Sequence, residues 1–252
     1  MSGAWLEDLT WAEAGERLAA GAPVIVPVGA RAKEHGHHLP LKTDYMLARA
    51  LGDRLIEALP VLVAPVIDFG FYPAFIRYPG SQHLRAETFI ALVEDVLTGF
   101  IDHGARLLAV VNTGVSTEAP LEIAARNLQT KRGVKIAVAH IRRLGKPTDR
   151  LLQQKLGGHA DEHETSLMLA IDASCVRMSQ AVPDYGHMLD TPPSVFYRPL
   201  EFVGDPQAGM NYSATGARGD PTLATAEKGA AILDSMVEDL VAGLRALDGS
   251  LQ

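Results

Sequence analysis

The chain has 252 residues, of which 47% are hydrophobic, and its 23 basic and 30 acidic residues give a formal net charge of −7. This length suits one large domain over residues 1–252. The acidic balance, without any basic cluster, argues against nucleic acid or an anionic membrane as a partner. The acidic N-terminal segment does not resemble a signal peptide, and no apolar run approaches the roughly 20 residues of a membrane-spanning helix, so we expect a cytoplasmic protein.

Short apolar segments alternate with helical patterns along the chain. Segments that end at Gly, Pro or charged residues predict buried strands at residues 23–28, 61–67, 107–112 and 135–141. Apolar residues at helical spacing predict helices at 44–59, 86–104, 120–133, 163–176 and 225–247. This alternation predicts a three-layer α/β/α fold with a mainly parallel central sheet. The segment 178–222, rich in Pro, Gly and aromatic residues, predicts a long loop with a functional or oligomeric use.

The stretch HGHHLPLKTD, residues 35–44, follows the first predicted strand. Ligand sites of parallel sheets lie at the carboxyl ends of strands, and imidazole and carboxylate groups are ligands for zinc, manganese or iron. His35 and Asp44 are therefore candidate ligands, although Asp44 could instead cap the following helix. Of His37 and His38, we expect one to support the site and the other to pack or to meet a neighbouring subunit.

The stretch HADEHETSLML, residues 159–169, is a second polar cluster. Asp161 and Glu164 form a D-x-x-E pattern that is typical of a helix N-terminus. A cap does not require His159 and Glu162 as well, so these two residues are candidates for proton transfer.

The stretch NTGVST, residues 112–117, follows the third predicted strand. Its small residues suit a turn whose backbone N–H groups contact a ligand. No Walker loop, nucleophile elbow or dinucleotide-binding glycine motif is present in the sequence. We therefore consider Thr113, Ser116 and Thr117 as candidate substrate contacts.

These three stretches, together with PVG, YPGS and GARGDPTLATAEKGAAIL, follow one another in the order of the creatininase (creatinine amidohydrolase) family. The chain resembles this family over nearly its whole length. The resemblance implies an α/β fold, often assembled as a hexamer, and a metal site that activates water against a cyclic amide or a related bond. Other members hydrolyse a formamide, trim a peptide, or cleave a cyclic diketone in inositol catabolism.

The chain departs from the family at two ligand positions. The family usually has Glu-Gln-His-Gly where this chain has Lys33-Glu34-His35-Gly36, and Asn-Gly-His-Gly-Gly-Asn where this chain has NTGVST. Lys33 and Gly114 thus stand in the places of a glutamate and a histidine that usually bind metal.

The resemblance implies how the remaining residues could be used, because creatininase holds two metals bridged by the aspartate that aligns with Asp44. A single divalent ion per subunit, zinc, manganese or iron, would remain on His35, Asp44 and Glu164, with Glu34 as a possible fourth ligand. The ammonium of Lys33 would fill the vacated space, within about 4–6 Å of Asp44 or Glu164.

The leading functional hypothesis is a metal-dependent hydrolase of a small, polar and cyclic substrate. The metal would activate water, His159 or Glu162 would move the proton, and Thr113, Ser116 and Thr117 would contact the substrate. In a rival hypothesis, the protein has lost metal binding, and Lys33, His159 and Glu162 work as acid/base groups. The alternatives are a C–C bond hydrolase of a cyclic diketone from cyclitol catabolism and a non-catalytic metabolite-binding descendant. We expect a homo-oligomer, and the resemblance suggests a hexamer.

Overall fold

The computed structural model describes residues 2–186, 204–207 and 213–251. Within these residues, five parallel strands form one sheet in the order β1-β3-β2-β4-β5. The strands are β1 (Ala4–Trp5), β2 (Val24–Val28), β3 (Leu62–Val63), β4 (Leu108–Asn112) and β5 (Ile136–His140). The helices are α1 (Trp11–Ala19), α2 (Thr43–Ala58), α3 (Ala86–Asp102), α4 (Glu118–Arg132), α5 (Glu162–Asp172) and α6 (Ala226–Leu247).

The central strand β2 is buried on both faces, and its side chains alternate between two hydrophobic layers. Val24 and Val26 pack with residues of α3 and α4, including Phe89 and Leu121. Ile25 packs on the opposite face, in a layer built from the following residues of α2, α5 and α6: Leu47, Leu51, Leu55, Leu167, Ile232 and Met236. Two separate hydrophobic layers on one parallel sheet confirm the predicted three-layer α/β/α fold.

The predicted elements are all present, with some differences in extent. The segment 61–67 forms a ladder only at Leu62–Val63, because Pro65 lacks the N–H that would continue it. Ile67 still makes an isolated parallel bridge with Val28, so the segment keeps its direction beyond the ladder. The edge strand Ala4–Trp5 was not predicted, since two residues carry no readable alternation. No helix among the described residues has the length and hydropathy needed to cross a membrane.

Close packing brings the start of α2 against the end of β2. A Cβ atom at Gly29 would clash with the backbone of Asp44, so the absence of a side chain permits this approach. Thr113, directly after β4, donates its hydroxyl to the carbonyl oxygens of Val28 and Asp44, each at 3.0 Å. The carboxyl ends of β2 and β4 and the first turn of α2 are thereby joined at one edge of the sheet.

Most of the predicted oligomer segment lies outside the described residues. Residues 187–203 and 208–212 of the segment 178–222 belong to this part. The expectation of a homo-oligomer therefore remains a prediction.

Candidate metal centre

Three potential metal ligands meet at the carboxyl edge of the sheet. His35, His159 and Glu164 each offer one ligand atom, and these atoms lie within 4.8 Å of one another. His35 comes from the loop after β2, His159 from the loop before α5, and Glu164 from the first turn of α5. Both histidines are buried. This cluster confirms that His35 and Glu164 converge, and it adds His159 as a third ligand candidate.

A backbone carbonyl orients each imidazole. Nδ1 of His35 lies 2.9 Å from the carbonyl oxygen of Lys33, and Nε2 of His159 lies 2.9 Å from that of Glu34. A carbonyl oxygen only accepts hydrogen bonds, so each of these nitrogens donates an N–H. The opposite nitrogen of His159, Nδ1, can then offer a lone pair. Nε2 of His35 lies 2.9 Å from Oδ1 of Asp44, so it offers a lone pair only when a bound cation replaces the proton between these two atoms. Metal-binding histidines in proteins are typically oriented in this way.

Glu164 is held by the loop that precedes α5. Its Oε2 accepts the N–H of Ala160 at 2.6 Å, and its own N–H donates to the N-cap Asp161 at 3.0 Å. Ala160 has a φ of 47°, an uncommon value for a residue with a side chain. Burial raises the pKa of Glu164, but the charges of His159, His35 and Lys33 outweigh burial and lower it. The carboxyl group is therefore ionised, as a metal ligand requires.

His159 lies between two carboxylates. Its Nε2 is 3.3 Å from Oε2 of Glu34, and its Nδ1 is 3.6 Å from Oε2 of Glu164. Burial lowers the pKa of His159, but the hydrogen bond to Glu34 and the charges of Glu164 and Glu34 more than reverse this effect and raise it. Glu34 also accepts the N–H of Gly36 through Oε1. Glu34 thus borders the cluster, next to His159.

Lys33 and Asp44 form a buried ion pair beside the cluster. Nζ of Lys33 lies 2.7 Å from Oδ2 of Asp44, and the two residues are only 5% and 3% exposed. The expected contact between the ammonium and a carboxylate is confirmed. Oδ1 of Asp44 lies 2.9 Å from Nε2 of His35. Burial raises the pKa of Asp44, but Lys33 and His35 outweigh burial and hold this pKa well below its usual range.

Glu162 lies apart from these groups. Its Oε2 accepts the backbone N–H groups of Gln153 and Gln154, both at 2.7 Å, and its Oε1 pairs with Nζ of Lys228. Glu162 is fully buried, and Lys228 belongs to the first turn of α6. These contacts join α5 to α6 and give Glu162 a position in the packing of the two helices.

His37 and His38 separate, as expected. His37 is exposed, whereas Nε2 of His38 lies 2.8 Å from the hydroxyl of Thr165 on α5. Burial lowers the pKa of His38 to about 4, so its ring is neutral near pH 7. His38 therefore supports the loop that carries His35.

The candidate substrate contacts in the loop after β4 have two different roles in the structure. The hydroxyl of Thr113 is used to join β2 and α2, as described above. Ser116, Thr117 and Gly114 instead line a narrow pocket together with Lys33 and Asp44. Thr117 donates its hydroxyl to Oδ1 of Asn112 at 2.7 Å, which shapes the turn.

Two groups of residues near the site were not identified from the sequence. Tyr72 and Phe75 follow β3; Tyr72 lines the same pocket, and the Phe75 ring lies 4.6 Å from that of His159. Arg218 is fully buried, and it exchanges two backbone hydrogen bonds with His159, of 3.1 and 2.8 Å. The aromatic residues around Tyr72, after a strand, were the available signal for the first group. The GARGD stretch around Arg218 was the signal for the second.

The fold and the site define a class of protein. Two imidazoles and one carboxylate at the carboxyl edge of a parallel sheet are typical of metal-dependent enzymes. Residues 7–244 match the family model Creatininase, described as creatinine amidohydrolase, and the chain belongs to this family.

Curated relatives cover most of the chain. A creatinine amidohydrolase of Pseudomonas putida is 28% identical over 94% of this chain and 95% of its own length. A 3-dehydro-scyllo-inosose hydrolase of Thermotoga maritima is 26% identical over 95% of this chain and 82% of its own. A mycofactocin precursor peptide peptidase of Mycobacterium ulcerans is 28% identical over 86% of this chain and 82% of its own length. The relatives are hydrolases with different substrates.

Solved structures agree with this assignment. A manganese creatininase has a TM-score of 0.80 and 26% identity to this chain, and the match covers 96% of this chain and 97% of that one. A creatininase mutant described as the Zn–Zn type has the same TM-score, identity and coverage.

Proposed function

We propose that the protein is a hydrolase that uses one divalent metal ion, held by His35, His159 and Glu164. The observation that carries this proposal is the convergence of their three ligand atoms within 4.8 Å. Two imidazoles, one carboxylate and an open position for water form a usual catalytic zinc site, and manganese and iron accept the same ligands. Buried imidazoles that are already oriented by backbone carbonyls support the same conclusion.

This ligand set differs from the one expected from the sequence. His159 takes a ligand position instead of a purely proton-transferring role. Asp44 is outside this proposed set, because its Oδ2 pairs with Lys33 and the ligand atoms that converge among the described residues are those of His35, His159 and Glu164. Glu34 stays as a possible further ligand, since its carboxylate lies beside His159.

The chain supplies the surroundings for hydrolysis. When bound, the metal lowers the pKa of water and polarises the substrate carbonyl. Phe75 packs against His159 and limits the access of bulk water on that side. Lys33 places a fixed positive charge beside the site, which would stabilise negative charge that develops on a substrate oxygen. We assign no role in proton transfer to Glu162, because its oxygens are bound to backbone N–H groups and Lys228.

The proposed substrate is a small, polar and cyclic molecule. The P. putida relative is named for hydrolysis of a cyclic amide, and the T. maritima relative for hydrolysis of an inosose. Ser116 and Thr117 add hydroxyl groups to the pocket beside the cluster. Amide hydrolysis is our first choice, and C–C bond cleavage of a cyclic diketone is the alternative.

A second reading is supported by the charges of the site. Lys33 neutralises Asp44 without any metal, and His159 has a raised pKa between two carboxylates. His159 and Lys33 could then act as acid/base groups, or the pocket could bind a metabolite without catalysis.

Metal analysis separates these readings. We expect about one ion per chain in the purified protein, and we expect Glu164→Gln and His35→Ala to lose both the ion and hydrolysis of cyclic amides or diketones. His37→Ala is the matched control, because His37 belongs to the same stretch and is exposed. Full activity after complete removal of metal would support the acid/base reading. Absence of both metal and hydrolysis would support the metabolite-binding reading.

We also propose a cytoplasmic homo-oligomer, with a hexamer as the expected assembly. Light scattering of the purified protein tests the assembly, and a monomer near 27 kDa would contradict it.

A further inference from the structure

A narrow pocket borders the Lys33–Asp44 pair beside the candidate metal centre. We call it the Tyr72–Lys33 pocket, and its lining includes Lys33, Asp44, Tyr72, Gly114, Ser116 and Thr117. It offers about 10 Å³ of space for water-sized groups. This is room for about one such group. The pocket can therefore receive one small part of a larger molecule.

Tyr72 brings an unused polar group to this pocket. The residue is 2% exposed, and its hydroxyl hydrogen has no acceptor among the described residues, while the backbone N–H of Gly70 approaches its oxygen. Burial raises the pKa of Tyr72 to about 12, so the hydroxyl keeps its hydrogen near pH 7. A buried hydroxyl without a partner destabilises a folded protein, and such groups are rare. Binding of a ligand is one reason for a protein to keep one.

The other polar groups of the pocket favour an acceptor as the ligand. Asp44 already contacts Lys33 and His35 through its two oxygens. Lys33 carries three N–H donors and no acceptor, and its contact with Asp44 needs only one of them. Ser116 adds a half-buried hydroxyl. An oxygen that accepts hydrogen bonds from Tyr72 and Lys33 therefore matches the polar groups of the pocket.

We propose that the Tyr72–Lys33 pocket binds one carbonyl or carboxylate oxygen of the substrate, with Tyr72 and Lys33 as the residues that select for it. The inference rests on the proposed hydrolase function only in taking the bound molecule to be the substrate, since the pocket exists without a metal. Asp44 connects Lys33 to His35, so an oxygen held here lies next to the reacting centre. Tyr72 and Lys33 would thereby position the bond to be cleaved.

Binding of small probes to the full-length purified protein tests this proposal. Acetate supplies a carboxylate oxygen, acetamide supplies a carbonyl oxygen, and guanidinium supplies only donors. Their dissociation constants are measured by NMR titration at constant ionic strength for the wild type, Tyr72→Phe and Tyr45→Phe. Tyr45 is the matched control, because it is half-buried and its ring contacts Arg31 outside the pocket.

We expect Tyr72→Phe to weaken the binding of acetate, acetamide or both by about tenfold, which corresponds to about 1.4 kcal/mol. Weakening of acetate alone identifies a carboxylate ligand, and weakening of acetamide alone identifies a carbonyl. Guanidinium should not compete with either probe. Tyr45→Phe should bind both probes like the wild type. Lys33→Met should weaken the same probe as Tyr72→Phe, provided that its circular dichroism spectrum shows a folded protein.

Thermal stability provides a readout that a structural hydroxyl would move in the opposite direction. Tyr72→Phe removes a buried hydroxyl whose hydrogen has no acceptor among the described residues, so its melting temperature should equal or exceed that of the wild type. A lower melting temperature would assign the hydroxyl a structural role and overturn the proposal. Unchanged affinity for both probes would overturn it as well, since the pocket would then hold only water.

The outcome is independent of the metal. Tyr72→Phe should retain the metal content of the wild type, because Tyr72 is outside the set of His35, His159 and Glu164. Tyr72-dependent binding in a purified protein that contains no metal and hydrolyses no cyclic amide or diketone would support the pocket and contradict the proposed function. Metal-dependent hydrolysis together with equal probe binding in the wild type and Tyr72→Phe would support the proposed function and contradict the pocket.

Discussion

The His35–His159–Glu164 cluster and the Lys33–Asp44 pair meet at His35, yet their charges are balanced differently. The cluster gathers two imidazoles and a half-buried carboxylate, which an added cation would stabilise. In the pair, an ammonium of the chain itself lies 2.7 Å from the carboxylate. One half of the site can therefore use a bound cation, while the other half already contains one. The predictions below test this difference.

Lys33→Met should have the largest effect on stability. It leaves Asp44 as a buried carboxylate without its ammonium partner, and the loss of one partner of a buried pair typically costs about 3–5 kcal/mol. Urea unfolding measures the free energy of unfolding. The double variant Lys33→Met/Asp44→Asn should recover much of the loss, because the uncompensated charge is then absent. Unchanged stability of Lys33→Met would show that the pair is not buried.

Acid should weaken the loop that carries the cluster through His38. Burial lowers the pKa of His38 from 6.5 to about 4, so the unfolded chain binds this proton more readily than the folded one. The stabilisation is complete above about pH 6.5 and is lost as the pH falls toward 4, by at most about 3 kcal/mol. Urea unfolding at several pH values should show that the free energy of unfolding depends less on pH in His38→Asn than in the wild type. Equal dependence on pH would contradict this assignment.

Removal of metal should destabilise the protein through the cluster alone. At a free ion concentration one hundred times the dissociation constant, a bound ion contributes about 2.7 kcal/mol to the free energy of unfolding. A chelator should therefore lower the melting temperature of the wild type and leave Glu164→Gln unchanged. Lys33→Glu should still bind no more than one ion, because Gly114 supplies no ligand side chain. A second ion in Lys33→Glu would refute the proposed difference between the two halves.

Thr113→Val should have the smallest effect. It removes the hydroxyl that donates to the carbonyl oxygens of Val28 and Asp44. We expect a loss of about 1 kcal/mol in urea unfolding, the usual contribution of one hydrogen bond. Metal content should stay at the wild-type value, because Thr113 is not one of the three converging ligand residues. A large loss of metal would show that the position of Asp44 also determines the geometry of the cluster.

The sequence was sufficient for most of the fold. Buried strands such as Val24–Val28 and helices such as Ala226–Leu247 follow from local apolar spacing, and each was predicted to within one residue. The resemblance to the family also placed Lys33 near Asp44 or Glu164 before the structure, because its ammonium would fill the space of a lost metal. Tyr72 could not be assigned, since an aromatic residue after a strand is more often part of a core.

Glu162 and His159 show the limit of the sequence. Their positions two and five residues before Glu164 gave both a reason to belong to the site. Glu162 instead pairs with Lys228, 66 residues away in the chain, whereas His159 meets Glu34, 125 residues away. Residue type and spacing therefore identified the groups with chemistry, but not their partners.

The sequence alone determined the layers of the fold, the family motifs and the replacement of two ligand positions by Lys33 and Gly114. Only the tertiary structure decided that His159 joins His35 and Glu164, that Asp44 pairs with Lys33, and that Tyr72 lines the pocket that these two residues also border. The physical reason is the range of the interactions. Apolar periodicity records which face of an element is buried, and this information is local. Partners of buried polar groups depend on how loops from distant strands and helices approach one another at the sheet edge.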